Sequence, residues 1–384
     1  MTDRPKKLLF VFGTRPETIK LFPLIAAAKA QPQRFEVQVC VSGQHRQMLD
    51  AFLQLFAIAP DVDLDVMQQG QTLSSLAARV LERLDPVLVH LAPDVVLVQG
   101  DTTTAMAAAL AAFHRQIAVG HVEAGLRTWD LAAPFPEELN RQVVGRIAQY
   151  HFAPTAWARD NLLREGVAAQ RIWVTGNTGI DAVAHVRQHL LPKLNVAERF
   201  AFLRPDQRLM LVTGHRRESF GAGFESLCLA IGDAIDRHPD LCVVYPVHLN
   251  PNVQAPVQRI LGPAVATGRL HLLPPVDYLE FAALLNAAYL VLTDSGGVQE
   301  EAPSYGKPAL CMRSVTERPE GVEAGAVRLV GTDRAAITAA VDQLLTDEQA
   351  WRKMAEVRNP YGDGQASGRI LDALGACRSI PTRS

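Results

Sequence analysis

Very little in this 384-residue sequence favours a disulfide scaffold, a membrane protein or a nucleic-acid binder. Cysteine is scarce: Cys40, Cys228, Cys242, Cys311 and Cys377 are scattered, with no Cys-x-x-Cys pair and no histidine at metal-ligand spacing. No metal site is expected, and Cys40, Cys242 and Cys311, set in apolar strand-like runs, read as reduced core residues. Net charge is only −2, which gives no reason to expect nucleic acid or an anionic membrane as partner. Long apolar runs are missing too. Lys6 and Lys7 precede Leu8 to Phe12, a stretch too short for a signal h-region or a membrane span, so a cytoplasmic location is expected. No segment matches Gly-x-Gly-x-x-Gly with an acidic residue about twenty positions on, and none matches the Walker A pattern. Nicotinamide and ATP chemistry therefore find no support.

What is present is a regular alternation of strand and helix. Strand-like runs occur at Leu8–Phe12, Glu36–Val41, Val95–Val98, Ile117–Val122, Tyr150–Ala153 and Arg171–Thr175. A second series covers Leu209–Thr213, Leu241–Val247, Leu270–Leu273, Tyr289–Thr293, Pro308–Met312 and Val327–Val330. Helix-like segments such as Pro23–Ala30, Thr103–Phe113 and Phe224–His238 lie between them. Apolar strands buried on both faces and separated by amphipathic helices imply parallel, doubly wound sheets. The fold class is α/β, with two Rossmann-like domains over residues 1–187 and 188–363 facing a central cleft. The polar, proline-bearing stretch from Gln188 to Arg208 reads as the linker region.

Glycine and charged residues gather just after these strands. Gly13-Thr14-Arg15-Pro16-Glu17 follows the first, Ser42-Gly43-Gln44-His45-Arg46 the second, and Gln99-Gly100-Asp101-Thr102 the third. Glu123-Ala124-Gly125-Leu126-Arg127-Thr128 follows the fourth. In the second half, Gly214-His215-Arg216-Arg217-Glu218, His248-Leu249-Asn250-Pro251 and Asp294-Ser295-Gly296-Gly297 behave alike. Open parallel sheets bind ligands at the carboxyl ends of their strands, so these loops are expected to line one cleft.

The last of them is the most informative. Ser295 can cap a helix whose first-turn N–H groups, backed by the helix dipole, suit a phosphate or diphosphate, and two glycines let it approach. Glu301 lies one turn beyond Gly297, placed to accept hydrogen bonds from sugar hydroxyls. Cations from the second half (His215, Arg216, Arg217, Arg313, Arg318) join Arg15 and Lys20 from the first, whereas Asp101, Glu123, Glu137 and Glu138 all come from the first. The division points to a nucleoside diphosphate held mainly by the second domain, with its attached group presented to carboxylates of the first. Asp101 also fits an N-cap before Thr102 to Thr104, and Glu123 an ion pair with Arg127 or Arg141.

Taken in order and at this spacing, Gly13 to Glu17 with Lys20, Gly100-Asp101-Thr102-Thr103, His121 to Thr128, Pro136-Glu137-Glu138 with Asn140-Arg141, Gly214 to Glu218, and Asp294 to Glu301 closely resemble the non-hydrolysing UDP-N-acetylglucosamine 2-epimerases. The resemblance runs from about Leu8 to about Leu374. It implies a GT-B fold, a homodimer, and a last helix, from about Gly364 to Cys377 within residues 364–384, that crosses back onto the first domain. It also implies interconversion of UDP-N-acetylglucosamine and UDP-N-acetylmannosamine through elimination and re-addition of UDP, without a cofactor, to supply cell-surface polysaccharide precursors. By resemblance Asp101, Glu123 and Glu137 move the C2 proton and stabilise charge at C1, His215 assists the departing diphosphate, and Lys20 keeps the carboxylates in place. Arg15, Ser295, Gly296, Gly297 and Arg313 would bind the diphosphate, and Glu301 the ribose. Gln44, Gln71, Glu138, Arg217 and His248 are candidates for a second UDP-N-acetylglucosamine bound as activator. A C2 epimerase of a modified sugar nucleotide, such as UDP-2,3-diacetamido-glucuronic acid, and a UDP-sugar glycosyltransferase of the same fold are the alternatives.

Overall fold

The computed structural model describes residues 4–43, 46–214 and 220–376. Gln44, His45, His215, Arg216, Arg217, Glu218 and Cys377 lie outside the described residues. The chain divides into two compact units, one formed by the described residues within 1–182 and 362–384, the other by those within 183–361.

The first unit is built on strands β1 (Lys6–Phe12), β2 (Phe35–Val41), β3 (Val62–Asp63), β4 (Val95–Gln99), β5 (Ala118–Val122), β6 (Tyr150–Ala153) and β7 (Ile172–Val174). All pair in parallel, in the order β3-β2-β1-β4-β5-β6-β7. Helices α1 (Arg15–Lys29), α2 (Arg46–Leu55), α3 (Leu73–Leu91), α4 (Thr103–His114), α5 (Glu137–Ile147) and α6 (Ala156–Arg164) connect them, and α7 (Thr178–His185) follows β7. Leu8 to Phe12 are fully buried, as the unbroken apolar run required. Helix α1 begins well before the expected Pro23. Pro16 occupies the first turn, where its missing N–H costs nothing, and Glu17 closes the turn behind Thr14.

The second unit repeats the plan with β8 (Arg208–Thr213), β9 (Leu241–Pro246), β10 (Leu270–Leu273), β11 (Leu290–Thr293), β12 (Ala309–Cys311) and β13 (Val327–Leu329). Their order is β10-β9-β8-β11-β12-β13, again parallel. Along β8, Met210 and Val212 enter one apolar cluster while Leu209 and Leu211 enter the other, the alternation of a strand buried on both faces. The supporting helices are α8 (Val196–Arg199), α9 (Ala222–Arg237), α10 (Pro251–Val265), α11 (Tyr278–Ala287), α12 (Gly296–Glu301), α13 (Pro319–Glu323), α14 (Arg334–Thr346) and α15 (Glu348–Ala355). The stretch read as a linker is folded: it holds α8, and Leu191, Leu194, Val196, Phe200 and Phe202 pack on this unit's core. Cys40, Cys228, Cys242 and Cys311 are buried free thiols.

Helix α16 (Ala366–Ala376) belongs to the first unit. Asp181 takes its first N–H groups, from Ala366 at 3.0 Å and Ser367 at 2.7 Å, and Lys6 Nζ donates to Leu374 O at 2.5 Å. Each sheet is a Rossmann-like doubly wound array. The strand order reverses between β1 and β4 in one and between β8 and β11 in the other. Those switch points are where open parallel sheets bind ligands. Among the described residues no helix is long and apolar enough to cross a membrane.

Candidate active site

At the carboxyl edge of the first sheet the loops after β1, β4 and β5 meet the start of α5. Glu123 follows β5 with a φ of 66°, a backbone state that non-glycine residues rarely adopt, and it is almost completely buried. Its carboxylate is held by Lys20 of α1, whose Nζ lies 2.7 Å from Oε1 and 2.6 Å from Oε2, and by the Gln99 amide at the end of β4. The partners expected for Glu123 are engaged elsewhere. Arg127 forms a two-point pair with Glu165 at 2.6 and 2.7 Å, and Arg141 turns to Asp101.

Asp101 does not cap α4. Thr102 does, its hydroxyl accepting Ala105 N–H at 3.0 Å, so the Asp101 carboxyl is left for other work. Arg141 Nη2 stands 3.2 Å from Asp101 Oδ2. Burial raises the Asp101 pKa to about 6; Arg141 and Lys20 oppose the rise, while Glu123 and Glu137 add to it. Those influences place Asp101, Glu123, Glu137 and Lys20 in one electrostatic group. Glu137 is the first residue of α5 and half-buried.

Other residues of the same sequence motifs build this group. Glu17 is fully buried; its Oε2 accepts Gly13 N at 3.0 Å and Thr14 N and Oγ1 at 2.8 Å, and its Oε1 accepts Thr102 Oγ1 at 2.8 Å. It thereby ties the loop after β1 to the loop carrying Asp101. Desolvation lifts its pKa to about 7 despite those four donors. The Thr14-x-x-Glu17 spacing of a capping box was the available signal. His121 Nε2 lies 2.7 Å from Gly100 O, and Asn140 Nδ2 donates to Asp101 O at 2.9 Å. Complete burial depresses the His121 pKa to about 3, so it stays neutral and serves as a hydrogen-bonding strut.

Glu138, grouped with the activator candidates, has no exposed surface. Its carboxylate accepts Thr128 N at 3.0 Å, Trp129 N at 3.1 Å and Gln142 Nε2 at 2.8 Å, with Arg141 Nε at 3.5 Å. Burial pushes its pKa up, but these donors and Arg141 outweigh it and leave the group below its usual range. Gln71 Oε1 is bonded by Gln68 N at 3.2 Å and by Arg79. Arg15 is exposed, with its guanidinium 5.9 Å from the Phe52 ring centroid.

In the second unit, Ser295 occupies the N-cap position of α12, in extended conformation, but its side chain makes no capping hydrogen bond. Neither Gly296 nor Gly297 has a positive φ. A Cβ on Gly296 would meet nothing closer than Glu317 Oε1 at 3.8 Å and Arg318 Cζ at 3.9 Å, and one on Gly297 only Ser295 Oγ at 3.9 Å. The described residues thus make no steric or backbone demand for glycine here. Arg313 pairs with Glu317 at 2.6 Å, and Arg318 with buried Glu300. Desolvation opposes ionisation of Glu317, yet hydrogen bonds and the two arginines bring its pKa down to about 2. Glu301 ends α12 half-buried, and exposed His248 accepts Asn250 N–H at Nδ1 at 3.1 Å. His215, Arg217 and Gln44 lie outside the described residues.

Residues 27–375 match the family described as UDP-N-acetylglucosamine 2-epimerase. The UDP-N-acetylglucosamine 2-epimerase of Escherichia coli K12 is 56% identical over 96% of this chain and 98% of its own length. A crystal structure of a Listeria monocytogenes protein described as a putative UDP-N-acetylglucosamine 2-epimerase superposes with a TM-score of 0.88 at 45% identity, covering 96% of each chain. That of the Neisseria meningitidis UDP-GlcNAc 2-epimerase bound to UDP-GlcNAc gives 0.87 at 43% identity, covering 96% of this chain and 99% of that one. With a parallel α/β architecture, three carboxylates at one sheet edge and full-length identity of this order, the chain belongs to the UDP-N-acetylglucosamine 2-epimerase family, a family of isomerases.

Proposed function

We propose that the protein interconverts UDP-N-acetylglucosamine and UDP-N-acetylmannosamine by eliminating and re-adding UDP, without hydrolysing the sugar nucleotide. The C2 hydrogen adjoins no carbonyl in the ring and is not acidic, so direct deprotonation would be slow. In elimination the C1–O bond breaks and its electron pair leaves on UDP. The C2 proton passes to a carboxylate, and the C2–H electron pair forms the C1=C2 bond of 2-acetamidoglucal. Re-addition reverses these steps, with the proton delivered to the opposite face of C2.

The observation that carries this reading is the convergence of Asp101, Glu123 and Glu137. A carboxyl whose pKa stands near 6 is suited to taking a weakly acidic proton close to neutrality, and such groups each contribute roughly 10²–10⁴-fold in rate. Asp101, Glu123 and Glu137 exchange the C2 proton and stabilise positive charge at C1, with Lys20 holding Glu123. His215 assists the departing diphosphate. Arg15, Ser295, Gly296, Gly297 and Arg313 hold the phosphates, and Glu301 the ribose. Gln44, Gln71, Arg217 and His248 remain the side chains for a second UDP-N-acetylglucosamine acting as activator. The enzyme works as a cytoplasmic homodimer that supplies cell-surface polysaccharide synthesis.

The test is incubation with UDP-N-acetylglucosamine in D₂O, followed by NMR. Loss of the sugar H2 signal with growth of a manno-configured UDP sugar is expected. Release of free N-acetylmannosamine would assign hydrolysis instead. Retention of H2 by folded, UDP-binding protein would overturn the reading.

A further inference from the structure

Three chain segments carry Asp101, Glu123 and Glu137, and one buried ion pair touches all three. Glu138 lies in the first turn of α5, next to Glu137, and its oxygens take the N–H groups of Thr128 and Trp129, at the end of the segment that begins with Glu123. Arg141, one turn further on, places Nε 3.5 Å from Glu138 and Nη2 3.2 Å from Asp101. The neighbouring Asn140 holds the Asp101 backbone carbonyl. Glu138 has no exposed side chain, and Arg141 keeps 10% of its own, so neither is a solvated surface charge.

An arginine beside one carboxylate tends to close into a two-point pair. Such a pair would engage both Asp101 oxygens and draw them from the substrate. Here Arg141 Nε donates to the Glu137 carbonyl at 3.4 Å with the Glu138 carboxylate 3.5 Å away, while Nη2 stands 3.2 Å from Asp101 Oδ2, so the guanidinium is divided between α5 and the Asp101 loop and makes no two-point hydrogen-bonded pair with Asp101. A lysine ammonium has donors enough for two carboxylates but no rigid planar fork, so it would not fix their relative positions in the same way.

We propose that Glu138 and Arg141 form a positioning dyad for the C2 proton transfer, fixing where Asp101, Glu123 and Glu137 stand relative to one another. The proposal rests on the epimerase reading and gives Glu138 a buried structural task in it, distinct from contact with an activator.

The variants are Glu138→Gln, Arg141→Lys and the double substitution, assayed by H2 exchange in D₂O alongside the wild type. Each single change is expected to lower kcat by about 10²-fold, the scale of an ångström-sized misplacement. KM and UDP affinity should stay within about threefold, since uniform binding is untouched. The double variant is expected to be no worse than either single one, because the two act as a unit. Wild-type kcat in the variants, or losses that multiply, would overturn the dyad. Should Glu138→Gln yield no folded protein, Arg141→Lys decides alone by the same split between kcat and KM. A wild type that leaves H2 in place would overturn the epimerase reading and this one with it. A wild type that exchanges H2 beside variants that match it would overturn the dyad alone.

Discussion

Lys20 and Glu123, more than a hundred positions apart in the chain, meet through both carboxylate oxygens, at 2.7 and 2.6 Å from Nζ. The pair is enclosed, with side-chain exposures of 18% and 6%, so removing one partner strands a charge. Lys20→Met is expected to cost roughly 3 kcal/mol in urea unfolding, the lower end for a broken buried pair. H2 exchange should fall with it. Adding Glu123→Gln should recover much of the stability and none of the activity. A single Lys20→Met variant as stable as the wild type would show that solvent already screens the pair.

Asp101 offers a test through pH. Burial sets its pKa at about 6, with Arg141 opposing the rise. If its carboxylate takes the C2 proton, kcat/KM should fall as pH drops through about 6. Glu123, Glu137, Lys20 and Arg141 are the charges of the first unit that face it. Arg141→Gln removes the largest influence favouring ionisation, so the acid limb should move to higher pH, by about one unit for every 1.4 kcal/mol of lost interaction. An unmoved limb would assign the titration to another group.

Much of the architecture was legible because buried parallel strands are written as unbroken apolar runs. Tyr150–Ala153 and Leu270–Leu273 coincide with β6 and β10. The two-residue strand β3 carries too little pattern to be seen. The apolar run from Pro23 marks only the later part of α1, because the polar first turns from Arg15 onward carry no apolar pattern. The segment from Gln188 to Arg208 looked like a linker by polarity alone, yet its scattered leucines and phenylalanines cover the second core. At the site, residue types at strand ends were visible, but partners were not. Nothing local says that Arg127 turns to Glu165, or that Thr102 and not Asp101 caps α4. Those choices depend on which distant elements lie alongside, and single-sequence patterns carry no such information.

Glu17 gives a stability prediction with a definite sign. Its pKa is about 7 in the fold against a usual 4.5, with burial the largest cause. Between those values the folded protein binds more protons than the unfolded chain. The group's contribution is therefore complete below about 4.5 and is lost as pH rises through about 7. Glu17→Gln removes the titration and still fits, its carbonyl accepting from Gly13 and Thr14 and its amide donating to Thr102. Urea midpoints measured from pH 5 to 8 should show the wild type losing ground to the variant as pH rises, then levelling. Parallel curves would mean that Glu17 stays ionised throughout.

The glycines separate scaffold from ligand approach. Gly125 has a φ of 95°, and a Cβ there would sit 2.1 Å from Ala158 O, so two independent constraints forbid a side chain. Gly125→Ala should destabilise the protein by more than about 3 kcal/mol, whatever is bound. Gly297 has neither constraint, and alanine is the better helix former by about 1 kcal/mol. Gly297→Ala should therefore leave the melting temperature equal or higher. If the diphosphate lies against this backbone, the added methyl group should weaken UDP binding by at least about tenfold, or 1.4 kcal/mol. Thermal melts with and without UDP, together with calorimetric titration, read both effects in one protein. Unchanged UDP affinity in a stable Gly297→Ala variant would move the phosphates away from α12, and the role given to Ser295 and Gly296 would go with them.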